Sequence, residues 1–376
     1  MRKEEVRGLI IYSILIVVAL LIVFTVIKPT LEEYYLSSYK IGPLLFIILV
    51  LLIAYPVNAI GLEALHALGA VIGGYKVTSF NVSYFCFYKT SDKTKFGFRE
   101  FNGITGETKI APKKEKLNPN LFIWLPMFGY ALEIALCVVI ATLVKSADMN
   151  TLWLRPAAFV FILVSSMIAF YNLIPLKLDS MTDGYRLRLF NKEINLKAYN
   201  QMLVIQEDQR LGKNIENIPV FEEITEYTAE INMLAMYLHL EKEEYDEATK
   251  ILDSLIENKK VLNVNDYNRL IAQKLYLAIF MNPISEVKRL YDEICPTEIR
   301  RFIANDMSMP CIRAYVLIAG MIEESESEVQ FAKSKVEKAK KRSLASEVKT
   351  EEKLLEKAIN YVYENHPKWV KEKAAE

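Results

Sequence analysis

Glu63 and His66 are the pair whose residue types and spacing could do chemistry. They sit in the stretch GLEALHALGA (61–70), and on a helix residues three apart lie on one face. A helix built to hold zinc commonly carries two histidines four residues apart with a glutamate after the first. The histidines ligate the metal and the glutamate takes a proton from the water it activates. Here the corresponding residues are Leu62, Glu63, Ala64, Leu65 and His66. The glutamate and the second histidine are in place, and the first histidine is a leucine. A catalytic zinc takes three protein ligands and keeps one position for water, so Leu62 leaves such a site one ligand short. Glu63 and His66 also have the Glu-x-x-His spacing that holds metals between bundle helices, but a ligated Glu63 is no longer a free base.

A second stretch, YNLIPLKLDSMTDGYRL (171–187), carries Asn172, Pro175, Asp179, Asp183 and Gly184. Both stretches end apolar segments. The 376-residue chain is 52% apolar yet 24% charged, so its apolar residues must be segregated. They fall at 8–27, 41–72, 121–144 and 152–175. Each is long enough for a helix to cross a hydrocarbon core of roughly 30 Å. The first follows a basic start, MRKEEVR, but has no small-x-small cleavage site behind it, and is read as a retained anchor.

Four spans put both ends of the chain on one side. The loop 73–120 carries Lys76, Lys89, Lys93, Lys95, Arg99, Lys109, Lys113, Lys114 and Lys116, against Lys28, Lys40 and Lys145 in the two outer connections. By the positive-inside bias, that loop, the N-terminus and everything after 176 are expected to be cytoplasmic, in a multi-pass protein of the cell membrane. At about 1.5 Å per helical residue, His66 then comes to the inner edge of the hydrocarbon core, on the same face as Asp183.

The elements that must position these residues are mainly helical. VTSFNVSYFCFY (77–88) is β-branched and aromatic behind Gly73-Gly74, which predicts a strand or hairpin at the membrane surface, and FNGITGETKIAP (101–112) predicts a second strand-like element. From about 195 the pattern becomes charged and helical. Residues 231–255 resemble residues 270–294, and Tyr237, Tyr276 and Tyr315 recur every 39 positions. Stacked helical hairpins of a tetratricopeptide-like kind are expected there. The expected organisation is an anchor at 1–40, a membrane core at 41–190 and a cytoplasmic helical domain at 191–376. Cys86, Cys137, Cys295 and Cys311 form no paired framework. The formal charge sums to zero, which gives no basic field for a nucleic acid partner.

Glu133 stands near the middle of the third span, where ionisable groups face protein or water and mark function by default. The structural alternative is a protonated glutamate hydrogen-bonded to a polar neighbour such as Asn58 or Ser166. His239 and His366 lie in the soluble helices and read as packing or surface residues.

On these motifs the region from about 40 to 190 resembles the site-2 protease family of intramembrane zinc metalloproteases. In that family a helix with H-E-x-x-H meets a later N-x-x-P…D-G segment. The resemblance implies His66 and Asp183 as metal ligands, with Asp179 a rival to Asp183 that no glycine follows, and Glu63 as the general base. Asn172, Pro175 and Gly184 belong to the second motif, and the cofactor implied is zinc. With Leu62 in the chain, the reading is a catalytically silent relative with a vestigial Glu63 and an incomplete His66–Asp183 site, binding or regulating a peptide or transmembrane protein. The alternatives are an active intramembrane endopeptidase with an unusual metal site and a membrane-anchored helical scaffold.

Overall fold

The computed structural model describes the chain except residues 1–2, 35–40, 90–92, 99–105, 114–116, 145–152, 177–180, 214, 342–344 and 372–376. Asp179, Arg99, Lys114, Lys116, Lys40 and Lys145 therefore lie outside the described residues. The chain is mostly helical with one small sheet, and it divides into two units, Met1–Leu196 and Lys197–Glu376.

The first unit holds four helices long and apolar enough to cross a membrane: Val6–Glu32, Gly42–Ile72, Asn120–Leu143 and Leu154–Leu173. The first of these combines α1 (Lys3–Ile22), a π-helical turn (Val23–Ile27) and α2 (Lys28–Tyr34). The others are α3 (Ile41–Ile72), α4 (Asn120–Leu143) and α5 (Leu154–Leu173). Their outward faces are leucine, isoleucine and phenylalanine, among them Leu52, Leu132 and Leu143. So much exposed apolar surface has no place in water, and it is the pattern of a membrane protein.

α5 is the central packing element. Val160 and Leu163 meet Ile27, Leu31 and Val50, while Ala158 meets Cys137 and Ala141 of α4. A third small cluster joins Leu62, Met127 and Tyr130 with Ile168 and Ala169.

Between α3 and α4 the chain forms four antiparallel strands in the order β3-β2-β1-β4. They are β1 (Tyr75–Val82), β2 (Phe85–Lys89), β3 (Thr94–Phe98) and β4 (Gly106–Pro112). The segment expected to be a strand or hairpin contains most of β1 and β2, and the second expected element contains β4. β3 was not anticipated. TKFGF is short, and Gly97 interrupts its alternation of lysine and phenylalanine, so its pairing with β2 supplies what local propensity does not.

The regular elements of the second unit are all helices among its described residues. α6 (Asp183–Phe190) closes the first unit and α7 (Glu193–Arg210) leads into the second. Two packed pairs follow: α8 (Glu226–Glu241) with α9 (Tyr245–Glu257), and α10 (Val264–Met281) with α11 (Ile284–Ile294). A short α12 (Thr297–Asn305) intervenes before α13 (Met309–Leu317), α14 (Glu326–Ser334), α15 (Val336–Lys340), α16 (Ala345–Asn365) and α17 (Pro367–Lys371).

The three tyrosines at intervals of 39 fall on α8, α10 and α13. α13 packs on both α10 and α16 through a buried Arg313, which bonds Glu351 at 2.9 Å and Gln273 at 2.9 Å and lies over the Tyr276 ring. His239 pairs with Glu244 and His366 stacks on Trp369; both are local contacts within this unit.

Candidate functional site

The site is assembled at the C-terminal ends of α3 and α5. Its first determinant is how closely α4 begins against α3. A side chain on Gly69 would place its Cβ 2.3 Å from the carbonyl oxygen of Leu121, so the absence of one lets the first turn of α4 lie directly on α3. The next carbonyl, that of Phe122, then reaches His66 and accepts its Nδ1 proton at 2.7 Å. That carbonyl is available because its regular helical donor would be the N–H of residue 126, and Pro126 has none. The Phe122 ring completes the contact, its centre 4.5 Å from that of the imidazole.

Asp183 arrives from the other end. α5 stops at Leu173, and Ile174 is extended at ψ 125, the conformation a following proline imposes. The return is fixed by Thr182. Its hydroxyl donates to the Ile174 carbonyl at 2.7 Å and accepts from Leu176 N–H at 3.0 Å, while its own N–H bonds the Leu176 carbonyl at 3.1 Å. Thr182 is also the N-cap of α6, which makes Asp183 the first residue of that helix. Its Oδ2 lies 3.4 Å from His66 Nε2 and its Oδ1 3.7 Å from Arg186 Nη1. His66 and Asp183 are both buried. Burial works to raise the Asp183 pKa, but the hydrogen bond and charge of His66, together with Arg186, overrule it and hold the carboxyl below the usual aspartate range.

Glu63 is equally buried and faces the sheet. Its Oε2 accepts the hydroxyl proton of Thr108 at 2.6 Å, which ties β4 to α3. Leu62 belongs to the apolar cluster of Met127, Tyr130, Ile168 and Ala169. Asn172 and Pro175 are not drawn into the site. The Asn172 amide donates to the Ile168 carbonyl of its own helix at 3.1 Å, and Pro175 is exposed beyond the end of α5. Glu133 is elsewhere as well, bonded to Ser165 rather than Ser166.

His66 donates Nδ1–H, so in the neutral ring Nε2 carries a lone pair, and that lone pair faces a carboxylate. Two acceptors face one another across 3.4 Å, an arrangement that needs a positive centre: a second proton on His66 or a metal ion. A histidine whose other nitrogen is tied to a backbone carbonyl is also the usual form of a metal ligand. The separation matches the edge, about 3.3 Å, of a tetrahedron with donors near 2 Å.

Among the described residues the remaining donors do not complete a three-ligand zinc site. Leu62 offers none and Glu63 is engaged with Thr108. Among the described residues no group of three His, Cys, Asp or Glu side chains is placed to hold a metal ion.

Sequence reasoning named Glu63, His66 and Asp183 but missed Thr108, Arg186 and the carbonyl of Phe122. Pro126 was the available signal for the last, since a proline inside an apolar helix frees the carbonyl four residues before it. Comparison with protein-family models, with curated protein sequences and with solved structures gives no match. Fold and site together define a helical membrane protein with a buried glutamate, histidine and aspartate gathered at the ends of two of its apolar helices.

Proposed function

We propose that this chain is a non-cutting relative of the site-2 proteases, a membrane-embedded protein that binds a peptide or transmembrane partner in the place where a protease would hold its substrate. The observation that carries this reading is Leu62 packed among Met127 and Tyr130, one helical turn from a His66–Asp183 pair 3.4 Å apart. Binding survives the loss of a ligand, whereas hydrolysis needs an activated water.

The binding element would be β4. It is an edge strand, and the Glu63–Thr108 bond fixes it beside the helix end. An extended peptide can add to such an edge through main-chain hydrogen bonds. The sheet would rest on the cytoplasmic membrane surface, as the lysine bias of 73–120 implies. Phe85, Phe87, Phe96 and Phe98 support that placement, since they form one exposed face of mutually contacting rings on β2 and β3. Lys89, Lys93 and Lys95 are exposed in the same hairpin, suited to anionic headgroups. The helical unit after 196 would then be cytoplasmic and offer a second partner-binding surface.

The competing reading is an active endopeptidase, and the metal-ready form of His66 favours it. Purified protein in lipid nanodiscs separates the two. The binding reading expects well under one zinc per chain, no cleavage of a transmembrane substrate, and protection of Gly106–Pro112 amides from hydrogen exchange when an extended peptide is added. Stoichiometric zinc lost on His66→Ala or Asp183→Ala would favour the endopeptidase. Peptide binding with no protection of β4 would remove the edge-strand reading.

A further inference from the structure

Glu133, Asn58 and Ser165 form a polar cluster in the middle of the helix bundle that plays no part in the site above. Each lies within two residues of the midpoint of its helix, α4, α3 and α5 respectively. Asn58 and Ser165 are fully buried. The Asn58 amide is oriented by its N–H donating to the Ala54 carbonyl at 2.9 Å, which turns Oδ1 toward Ser165. The Ser165 hydroxyl lies 3.0 Å from Asn58 Oδ1, 2.8 Å from Glu133 Oε1 and 2.8 Å from the Phe161 carbonyl.

A hydroxyl has one proton, so it can satisfy one of these three acceptors. The Tyr130 hydroxyl adds a donor, but it is directed to the Asn58 carbonyl at 3.3 Å. With Glu133 ionised, the cluster is thus rich in acceptors and short of donors, in a region where water cannot make up the difference.

It reaches the flank of the bundle at Glu133. Glu133 is only half-buried, at the edge of the α4 face that packs on α3 and α5. Leu132 and Leu136, on the neighbouring outward face, are 62% and 58% exposed. Among the described residues Ser165 is the hydrogen-bond partner of Glu133. What would meet this flank of the bundle is lipid or another transmembrane helix, and lipid tails supply no donor.

We propose that the Glu133 flank of α4 is a docking site for a transmembrane helix carrying a basic side chain at mid-depth. The ammonium or guanidinium group would supply the missing donors and pair with the carboxyl group, since a buried charge in a bilayer is tolerated when an opposite charge meets it. The apolar residues around Glu133 would cover the remainder of the incoming helix. Capture of a peptide at β4 could fail without affecting this site, which involves a different surface and different atoms.

Two model helices of leucine and alanine test it, one with a single central lysine and one without. Each is donor-labelled and reconstituted in phosphatidylcholine vesicles with full-length protein carrying an acceptor dye at Leu143→Cys, and energy transfer reports association. The lysine-bearing helix should associate at least fivefold more strongly than the plain one, and moving its lysine two helical turns toward either end should abolish the preference. Glu133→Leu should erase it. Where that variant does not purify folded, Glu133→Gln, which keeps the shape and the acceptor but not the charge, should reduce it. Equal association of the two helices, or a preference unchanged in the folded Glu133 variant, would overturn the proposal.

Discussion

The carbonyl of Phe122 accepts the Nδ1 proton of His66 at 2.7 Å, and a proline four residues downstream leaves that carbonyl without its helical partner. Pro126 is therefore a positioning residue for the imidazole, though it does not touch it in any contact described above. Pro126→Ala restores an N–H at position 126, which would compete for the Phe122 carbonyl. The helix gains a regular hydrogen bond while His66 loses its fixed orientation. The expected outcome is unchanged or raised thermal stability, with the 15N spectrum of labelled histidine shifting from one ring form to a mixture. A spectrum identical to that of the parent protein would show that the carbonyl is held by something other than the missing donor.

Gly184 makes the other end of the site possible. A Cβ there would lie 1.9 Å from the Leu173 carbonyl oxygen and 2.6 Å from its carbon, backbone atoms that cannot rotate away. Gly184→Ala must push α6 off the end of α5, at a cost of roughly 1–3 kcal/mol, and would carry Asp183 away from His66. A lowered thermal midpoint is expected, and a cysteine pair engineered as His66→Cys with Asp183→Cys should cross-link in the parent background but not with Gly184→Ala. Efficient cross-linking in both would mean that α6 is positioned by other contacts.

The spans, the hairpin and the His66–Asp183 pair could be read from the sequence for a common reason: each depends on a pattern that survives without knowledge of neighbours. Apolar length sets the helices, β-branched and aromatic residues set β1 and β2, and chain direction places the ends of α3 and α5 at one end of the bundle. What was missed depends on long-range pairing. β3 exists through its register with β2, in which Phe85 faces Phe98 and Phe87 faces Phe96. Thr108 matters because β4 folds back on α3, and nothing local to residues 106–112 announces Glu63. Near the middle of the bundle the error was a single residue, Ser166 for Ser165, since the side of a helix that faces its neighbour is set by packing rather than by position along it.

In the helical unit, pH should act through Asp306. Its carboxylate accepts from the N–H of Ser308 at 2.8 Å, from the Ser308 hydroxyl and from Arg269 at 3.1 Å. Burial works against its charge, but these bonds prevail and hold it below the ordinary 3.8. A carboxylate so depressed stabilises the folded state fully above its unfolded value, and the contribution fades as pH falls below 3.8 toward the native value. Asp306→Ala should cost about 1.5–3 kcal/mol near neutral pH, the range for hydrogen bonds to charged groups. Hydrogen exchange of the α13 amides in the full chain should therefore differ between the two proteins at pH 7, and the difference should be smaller near pH 3. A gap that widens on acidification would contradict the assignment.

Leu62 offers the sharpest test of the site, because ligand chemistry and packing there pull in opposite directions. Leu62→His supplies the nitrogen a third ligand would need, one turn before His66, with Asp183 already 3.4 Å from His66. It also puts an imidazole among Met127, Tyr130, Ile168 and Ala169, where an uncompensated polar group costs roughly 1–3 kcal/mol. Zinc binding can repay that cost only if all three donors reach one ion. Metal-free Leu62→His should unfold at a lower temperature than the parent, and added zinc should raise its midpoint while leaving the parent almost unchanged. Leu62→Ala separates the two effects, since it loses the packing, at about 2–5 kcal/mol, and gains no ligand. Stabilisation by zinc should appear in Leu62→His alone and vanish when His66→Ala or Asp183→Ala is added. If zinc stabilises Leu62→Ala equally, the ion is binding elsewhere and His66 with Asp183 is a buried ion pair rather than the remnant of a metal site.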